Sequence, residues 1–507
     1  MVDLLSGLKT TANRITQFGY DVLSPKQRRR APSGDVRSED QLLNASGRRK
    51  ISSDSLDMSR NFSAFAWAIR KHLDYTTFFE FQARNENESL DGQIESLMAE
   101  YSRPENCDSA SFFSLQKKIR MLEASRLLFG DGGEIKLSNG RLQTIEGDRI
   151  RNEDGAAVFG TEDRTRWVQG VQVNRFGRRL QYGISARHGN SFVHSRNVRA
   201  QNFIHHGFFH RPDQVRGVSP LTSALDTFKD IYEGLDYARA KMKVSQLFAL
   251  AIYSELDQTA GEAQYESEET VDLDGDGTDE TVSRYSVDFG DGPIKLELEP
   301  GDRAEFLESK TPSTELQAFA QLSIAIALKS LDIPLSFWDE SHSTFNGSRL
   351  AGLNYDRSCI DKRRDLQEVL RQITTWKLRQ WIIEGRLTLP RGMTVDDVAF
   401  EWVPLGQPWW NPESEIRGDL MAIAAGLKTP QQVVRERGNG DWFDNITAIA
   451  AAYKHAESLG VPVHFDAGTQ PTERNLATDP EVPDEPDVED VEDTQDSVER
   501  AHNAVRA

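Results

Sequence analysis

Residues 219–250 predict a helix of unusual length. No proline follows Pro220 in this segment, Ser219 is a favourable helix cap, and proline suits the first helical position. Apolar residues keep mostly helical spacing along it, at Leu221, Leu225, Phe228, Ile231, Leu235 and Met242. At 1.5 Å per residue the helix would be roughly 45–50 Å long. We expect it to bridge parts of the structure or to pack beside copies of itself; a long core helix in a large globular domain is the alternative.

A second helical pattern follows about sixty residues later. It begins at Ser313, ends before Pro334, and has apolar positions at Leu316, Phe319, Leu322, Ile326 and Ala327. Between the two helices, residues 285–289 and 294–298 alternate around the turn of residues 290–292, which is typical of a small hairpin. We therefore predict two helices that flank a small β-module.

The net charge of −20 comes from two segments. Residues 255–280 contain eleven acidic and no basic residues, and residues 470–507 contain twelve acidic residues against three arginines. The rest of the chain is close to neutral, so the acidity is local. It argues against tight, charge-driven wrapping of DNA, which requires a basic surface, but it does not exclude a DNA partner.

The two ends of the chain have the composition of flexible segments. Residues 1–50 carry basic clusters at residues 26–30 and 48–50, which are either solvated or in contact with nucleic acid. We expect order to begin near Met58. Beyond Gly468 the chain is acidic and rich in proline, which predicts a disordered tail. No apolar run approaches 18 residues, so we expect no transmembrane span.

Few residues carry recognisable chemistry. There is no phosphate-binding GxxxxGK[ST] loop, HExxH helix, CxxC pair or GxSxG elbow. Cys107 lacks a nucleophile's partners and is interpreted as a small buried residue; with Cys359 it offers no disulfide framework. His205, His206 and His210 are interpreted as ordinary sheet residues, because no carboxylate or cysteine at ligand spacing accompanies them. We expect no catalytic residues.

One acidic motif resembles the opening of a calcium loop. Residues 272–280 read DLDGDGTDE, in which alternating aspartates precede a glycine that permits a sharp turn. The metal-ligand candidates are Asp272, Asp274, Asp276 and Asp279. The twelfth position is Ser283 and not the bidentate glutamate of an EF-hand. A shorter Ca²⁺ loop and a solvated acidic turn both remain open, and no other cofactor is expected.

Several phrases, in order along residues 55–460, resemble the portal proteins of lambda-type tailed bacteriophages. The phrase RPDQVRGVSPL leads into the long helix. It contains the family-motif residues Gln214, Arg216, Gly217 and Pro220. Other matching phrases are the helix ending at Gly130, the strands around residues 142–150 and 170–178, and GLKT at residues 426–429. FNGSR at residues 345–349 keeps the motif residues Asn346, Ser348 and Arg349 but has Gly347 where a tyrosine is common.

The resemblance implies an α+β portal-type subunit that assembles into a ring. Its parts would be a mixed wing domain, two long stem helices, a small β-containing clip and a helical C-terminal region. The implied boundaries are 1–50 for a flexible basic arm, 51–217 for the wing, 218–255 for the first stem helix, 256–312 for the clip with its acidic insertion, 313–345 for the second stem helix and tunnel loop, 346–468 for a helical wing or crown region, and 469–507 for the acidic tail. The tunnel loop would occupy residues 339–345.

The implied function is mechanical. A ring, usually of twelve subunits, would form the DNA channel at one capsid vertex of the virion after assembly in the host cytoplasm. Its partners would be double-stranded DNA, the major capsid protein, terminase and head–tail connector proteins. Cations that slide along phosphates without reading bases would line the channel. The DNA-channel candidates are Lys229, Lys241, Lys243, Lys310, Lys329 and His342.

Two other classes of function remain open. A phage-encoded nuclease or capsid-maturation protease would need a focused catalytic cluster, which the sequence does not show. A Ca²⁺-dependent adhesion or binding module would depend on the loop at Asp272 alone. Size separates these readings, because a portal forms a large ring and the alternatives form small oligomers.

Overall fold

A computed structural model of the chain describes residues 37–85, 87–152, 165–189, 191–247, 250–254, 268–271, 280–283, 302–306, 314–339, 344–406, 411–438 and 440–461. The architecture mixes helices with several small antiparallel sheets. Two compact units divide the chain, one of residues 1–428 with 435–438 and one of residues 429–434 with 439–507. No helix within the described ranges is both long enough and apolar enough to cross a membrane.

Two helices open the described chain and correct the predicted extent of the arm. After a single turn, Glu39–Leu42, helix α1 spans Ala45–Asn61 and α2 spans Ser63–Thr76. Asn44 caps α1 by accepting a hydrogen bond from the Gly47 amide at 2.7 Å. Residues 45–50 therefore belong to a helix and not to a flexible arm 1–50, and order begins before Met58. The basic cluster is misleading because Arg48 is buried and donates to the Gly217 carbonyl.

A helical core forms around α3 (Glu88–Tyr101), α4 (Leu115–Phe129) and the 39-residue α7 (Phe345–Ile383). Strand β1 (Phe79–Ala83) pairs antiparallel with β13 (Phe400–Pro404) beside them. Helix α4 ends as predicted at Gly130, whose φ of 90° is the left-handed conformation that glycine adopts without strain. Cys107, near the single turn Pro104–Cys107, is fully buried, and burial raises the pKa of its thiol to about 12. The prediction of a small buried residue is confirmed.

Two antiparallel sheets follow α4. The first has the order β3-β2-β8 and the second the order β4-β5-β6-β7. Their strands are β2 (Asp131–Lys136), β3 (Leu142–Glu146), β4 (Arg166–Val168), β5 (Val171–Val173), β6 (Arg179–His188), β7 (Ser191–Arg199) and β8 (Phe203–Gly207). The strands predicted within residues 142–150 and 170–178 are present, and a turn joins β5 to β6.

The long helix is shorter than predicted. Pro220–Ser223 is a 3₁₀ turn, and α5 spans Leu225–Leu247, about 35 Å. The chain then enters strand β9 (Leu250–Ser254), which pairs antiparallel with β12 (Asp302–Phe306). A helix through residue 250 is therefore wrong, because cross-strand pairing takes over there.

Between the two helices the structure describes strands that the sequence did not predict. Strands β10 (Glu268–Val271) and β11 (Glu280–Ser283) form an antiparallel pair in which Val271 lies opposite Glu280. The hairpin predicted at residues 285–298 lies outside the described residues. Helix α6 (Thr314–Leu328) follows, and a 3₁₀ turn, Lys329–Leu331, ends it where the pattern predicted.

The C-terminal part is helical, as predicted. In the first unit, α8 spans Pro412–Ala424 and begins with a proline at its first turn. Helix α9 spans Pro430–Glu436 and α10 spans Trp442–Ser458. In the second unit the Asp441 side chain caps α10 by accepting from the Phe443 amide at 2.8 Å. The predicted acidic tail lies outside the described residues.

Candidate functional site: the anchored helix hairpin

Helices α5 and α6 pack against each other, and the base of this pair is held in an apolar core. Phe228 of α5 makes edge-on contacts with Phe62 and Phe65, at ring-centroid distances of 6.2 and 5.1 Å. Ile324 and Leu328 of α6 belong to the same cluster. The first turns of α5 and the last turns of α6 are therefore fixed to the body of the chain. We call α5 and α6 together the helix hairpin.

Apolar side chains further along the helix hairpin are exposed. On α5, Leu235 and Met242 continue the helical spacing of the buried residues yet are 37% and 38% exposed. On α6, Phe319, Leu322 and Ile326 are 65%, 59% and 59% exposed. Their spacing of three and four residues places these three on one face of the helix. We call these five residues the apolar stripe.

A buried arginine anchors the segment that leads into α5. Arg216 donates through Nε and Nη2 to both carboxylate oxygens of Asp131, at 2.6 and 2.8 Å. Its remaining N–H groups donate to three backbone carbonyls, at Ile150 (2.9 Å), Gly147 (2.7 Å) and Gln169. All five donors of the guanidinium are thus used. The side chain ties together the ends of β2, β3 and β4 at the point where the chain turns towards the helix hairpin.

The charge state of this anchor follows from its surroundings. Burial by itself raises the pKa of Asp131, but the charge and hydrogen bonds of Arg216, with a contact from His205, outweigh it and hold the pKa well below its usual range. Burial lowers the pKa of His205 to about 4, against the opposing effect of Asp131. At neutral pH the anchor is therefore an ionised Arg216–Asp131 pair beside a neutral His205.

Two glycines allow the anchored segment to approach α4. A Cβ atom added at Gly217 would lie 2.1 Å from the carbonyl oxygen of Gly130. The Gly217 amide also donates to Asp131 at 2.9 Å. Ser219 then accepts from the Leu221 amide at 3.1 Å and donates to the Leu127 carbonyl, which positions Pro220 at the first turn. The family-motif residues Gly217 and Pro220 thus set the direction in which α5 leaves the body.

A second buried ionic cluster lies on α4. Glu123 accepts from Arg126 and contacts His72 and His206, each at 2.8 Å. Burial opposes the charge of Glu123, but Arg126 and the two histidines hold its pKa well below the usual range. Burial lowers the pKa of His72 despite its contact with Glu123. The cluster links α2, α4 and β8, three elements of the body that carries the helix hairpin.

A third cluster joins α4 to the first sheet. Lys118 contacts Asp108 at 3.1 Å and Glu134 at 3.4 Å, and all three side chains are buried. Burial raises the pKa of Glu134 to about 7, against the opposing charge of Lys118. One lysine thus serves two carboxyl groups, and Asp108, whose pKa is lowered, is the one that stays ionised throughout the neutral range.

The remaining family-motif residues have different surroundings. Gln214 is buried, donates to the carbonyls of Phe208 (3.2 Å) and Arg216 (2.8 Å), and supports the anchor. Asn346 and Ser348 lie in the first turn of α7, which the Thr344 side chain caps. Arg349 contacts Glu415 of α8 at 3.1 Å. Gln214 thus belongs to the anchor with Arg216, whereas Arg349 joins the start of α7 to α8.

The channel candidates differ in their availability. Lys229 contacts Asp54 of α1 at 2.6 Å, so its charge is engaged inside the chain. Lys241 and Lys243 are exposed on the distal part of α5, and Lys329 is exposed at the end of α6. Lys310 and His342 lie outside the described residues, as do the metal-ligand candidates Asp272, Asp274, Asp276 and Asp279 and the central part of the predicted tunnel loop. No group of three or more potential ligands arranged to hold a metal ion occurs in the described part of the chain.

The three histidines singled out in the sequence take separate partners. His205 and His206 lie in β8 and contact Asp131 and Glu123. His210 contacts Glu39 at 3.0 Å. The sequence did not identify Asp131, Glu123 or Lys118 as important. One signal was available, because Arg126 occupies an apolar helical stripe and a buried arginine needs a carboxylate partner.

Comparison with known proteins gives the family. The model for "Phage portal protein, lambda family" matches residues 26–363. No curated protein matches the chain. Among solved structures, the neck of an empty gene transfer agent particle is similar at 12% identity and a TM-score of 0.45, covering 75% of this chain and 92% of that one. The virion of a native gene transfer agent particle is similar at 12% identity and a TM-score of 0.43, covering 77% of this chain and 98% of that one.

A portal protein of the HK97 family from Corynebacterium diphtheriae is similar at 11% identity and a TM-score of 0.29, covering 71% of this chain and 95% of that one. These structural similarities are distant, whereas the family model covers more than half of the chain and includes the anchor and the helix hairpin. The chain therefore belongs to the lambda family of phage portal proteins.

Proposed function

We propose that the protein forms a ring, of about twelve copies, around a DNA channel at one vertex of the capsid. In this role it serves genome packaging, head–tail joining and DNA ejection, as expected of a portal. The observation that carries the ring is the apolar stripe. Its residues lie on a hairpin whose base is held in the apolar core, and in the described part of the chain they are 37–65% exposed.

A second copy of the chain would cover the apolar stripe. Full burial of a large apolar side chain contributes about 1.5–3 kcal/mol, so five such residues provide a substantial driving force for association. The anchor at Arg216 keeps the helix hairpin in one direction relative to the body. A fixed direction favours a head-to-tail contact that repeats with the same rotation, and such contacts close into a ring when that rotation divides a full turn evenly.

The channel surface is the second part of the proposal. Lys241, Lys243 and Lys329 are exposed on the helix hairpin, and we propose that they contact phosphates of double-stranded DNA without reading its sequence. Lys229 is a weaker candidate, because it already pairs with Asp54. The major capsid protein, terminase and head–tail connector proteins are the other proposed partners. The proposed location is the portal vertex of the virion, after assembly in the host cytoplasm.

The role proposed here is structural and not catalytic. We also propose that the loop at Asp272 binds Ca²⁺, on the basis of the DLDGDGTDE spacing. The strands on either side of it pair, which brings Val271 and Glu280 together at the ends of the loop. Millimolar Ca²⁺ would then raise the melting temperature of the protein, and Asp274→Ala with Asp276→Ala would abolish the rise. An unchanged melting curve in Ca²⁺ would refute this.

Substitutions in the apolar stripe test the ring. Phe319→Glu with Leu322→Glu should convert large assemblies into small ones, because two carboxylates would be placed in the subunit contact. Mass photometry of the purified protein measures the outcome. The control, Phe112→Glu with Ile383→Glu, changes two side chains that are 73% and 86% exposed elsewhere and should leave the mass unchanged. Large assemblies that survive the first pair, or small oligomers in the unaltered protein, contradict the proposal.

A further inference from the structure

One segment of this acidic protein is strongly basic. Residues 165–211 contain eight arginines and five histidines, and no aspartate, glutamate or lysine. The whole chain carries a net charge of −20, so this segment is an exception. It includes the four-stranded sheet β4-β5-β6-β7. Neither the helix hairpin nor the anchor accounts for this concentration of positive charge.

The sheet topology gathers five of these arginines at one end. Arg166 begins β4 and pairs with Val173, which in turn pairs with Arg179 at the beginning of β6. Two strand spacings separate Arg166 from Arg179, about 10 Å. Arg199 ends β7 opposite Gln181. The turn between β5 and β6 contains two more arginines, Arg175 and Arg178. We call Arg166, Arg175, Arg178, Arg179 and Arg199 the arginine end.

The turn at the arginine end is held in a defined shape. The Asn174 side chain accepts from the amides of Phe176 at 2.9 Å and Arg178 at 3.0 Å, and its own amide donates to the Arg178 carbonyl at 3.0 Å. Gly177 completes the turn with a φ of 80°. Arg175 lies 4.4 Å from the centroid of the Phe176 ring, which is 77% exposed. The arginines are thus presented on a rigid support.

Arginines at the two ends of the sheet differ in whether they form ion pairs. At the far end, Arg187 contacts Asp148 at 2.8 Å and also Glu146, so its charge is neutralised within the chain. At the arginine end, no carboxylate of the described residues forms an ion pair with Arg166, Arg175, Arg178 or Arg199, and all four are exposed. Arg179 is engaged with a backbone carbonyl, that of Val215, at 3.1 Å. Four exposed guanidinium groups therefore remain available to an anion.

We propose that the arginine end binds the phosphate backbone of double-stranded DNA, at a surface separate from the helix hairpin. Guanidinium groups match phosphate oxygens in a bidentate manner, and duplex DNA carries one charge per roughly 1.7 Å of axis. The arginine end extends over at least two strand spacings, about 10 Å, which is enough to meet several phosphate charges. The contact is independent of base sequence, since backbone contacts position DNA without specifying it. This contact goes beyond the channel proposed above and does not require ring formation.

Salt-dependent DNA binding tests the inference. The full chain is titrated onto a fluorescent 30-base-pair duplex, and anisotropy gives the affinity at several salt concentrations. Arg175→Gln, Arg178→Gln and Arg199→Gln together remove three phosphate contacts, so the slope of log K against log salt should fall by about 2.7. Between 50 and 200 mM salt the unaltered protein would then lose roughly 40-fold more affinity than the variant. Arg179 is left intact because it bonds to Val215.

A matched control separates a local site from general charge. Arg364→Gln, Arg371→Gln and Arg379→Gln change the net charge equally at exposed positions of α7. They should leave the salt slope unchanged, and lysines at the three arginine-end positions should restore most of the binding. Equal losses in both triple variants, or no loss in the first, overturn the inference. Binding of polyglutamate instead of the duplex also overturns it and assigns the surface to an acidic protein.

The test is independent of the proposed function. The arginine-end variants keep the apolar stripe and the hairpin lysines, so mass photometry of the same samples reports ring formation separately. A ring that forms normally while the salt slope stays unchanged refutes only the DNA surface. Small oligomers that still show the arginine-dependent slope refute only the ring.

Discussion

Replacing Arg216 by methionine removes the anchor while keeping an unbranched side chain of similar length. Arg216 is 1% exposed and serves five acceptors, of which two are the oxygens of Asp131. The substitution leaves a buried carboxylate without its cation. It also leaves the carbonyls of Gly147, Ile150 and Gln169 without these donors.

The expected loss follows from these contacts. Removing one partner of a buried ion pair costs about 3–5 kcal/mol. Each unsatisfied buried carbonyl adds about 1 kcal/mol or more. Domains are commonly stable by only 5–15 kcal/mol, so this single change removes a large share of the total. Arg216→Lys should be intermediate, because lysine keeps the charge but has three donors for five acceptors.

Thermal denaturation at fixed protein concentration measures the loss. The compact unit that contains Arg216 has about 430 residues, and unfolding entropy is about 2.1 cal/mol/K per residue, so a loss of 4 kcal/mol corresponds to a fall in melting temperature of about 4–5 °C. The matched control is Arg371→Met, since Arg371 is exposed and forms its ion pair with its helical neighbour Glu368. Arg216→Met with Asp131→Leu should recover part of the loss, because neither charge then remains unpaired.

The pH dependence gives a second readout of the same substitution. In the unaltered protein the pKa of Asp131 is depressed, so its contribution to stability is present above the unfolded value of 3.8 and is lost as pH falls below it. Without Arg216, burial favours protonated Asp131, so the variant should be least stable at neutral pH. The gap in melting temperature should therefore narrow from pH 7.5 to pH 4.5. A fall of less than 2 °C at pH 7.5, or a gap in melting temperature that widens in acid, would show that the Arg216–Asp131 pair does not anchor the fold.

Three further predictions concern other parts of the chain. The pKa of Glu134 is raised from 4.5 to about 7, so the fold retains its proton more tightly; this stabilisation is full below pH 4.5 and is lost as pH rises towards 7. Glu134→Gln should remove this pH dependence of stability, which is on the order of 3 kcal/mol, as measured by melting curves between pH 4.5 and 7.5. If the melting temperature of the variant changes with pH as much as that of the unaltered protein, Glu134 is not the titrating group. Gly217→Ala should lower the melting temperature, because its Cβ would lie 2.1 Å from a carbonyl oxygen, whereas Gly234→Ala in α5 meets nothing within 4 Å and should stabilise slightly. Deleting residues 470–507 should leave the mass of the assembly unchanged apart from the missing residues, and dissociation on deletion would show that the tail is structural.

Local patterns predicted much of the fold. The end of α4 at Gly130, strands within residues 142–150 and 170–178, and the presence of helices at α5 and α6 were predicted correctly. The length of α5 was not. Its pattern continued to residue 250, but residues 250–254 pair with β12, about fifty residues away in sequence. A single sequence does not show which of two distant segments will pair.

The sequence identified residues of the anchor but not the residues that they contact. Arg216 and Gly217 were recognised as parts of a family phrase, yet their partners Asp131 and Gly130 are more than eighty residues away. For Arg48 the prediction itself was wrong. Its position in a basic cluster predicted a mobile arm, but the side chain is buried against Gly217. A basic cluster in a sequence is usually solvated. The sequence does not show that the folded chain places a carbonyl acceptor beside one arginine of the cluster.

Electron microscopy of the purified full chain shows directly whether the protein forms a ring. We expect ring-shaped particles of about twelve copies around a central channel. In a reconstruction, the apolar stripe at Leu235, Met242, Phe319, Leu322 and Ile326 should lie at the contact between neighbouring copies. Lys241, Lys243 and Lys329 should face the channel. Monomers or small open oligomers, or a ring in which the apolar stripe remains exposed to solvent, would contradict this expectation.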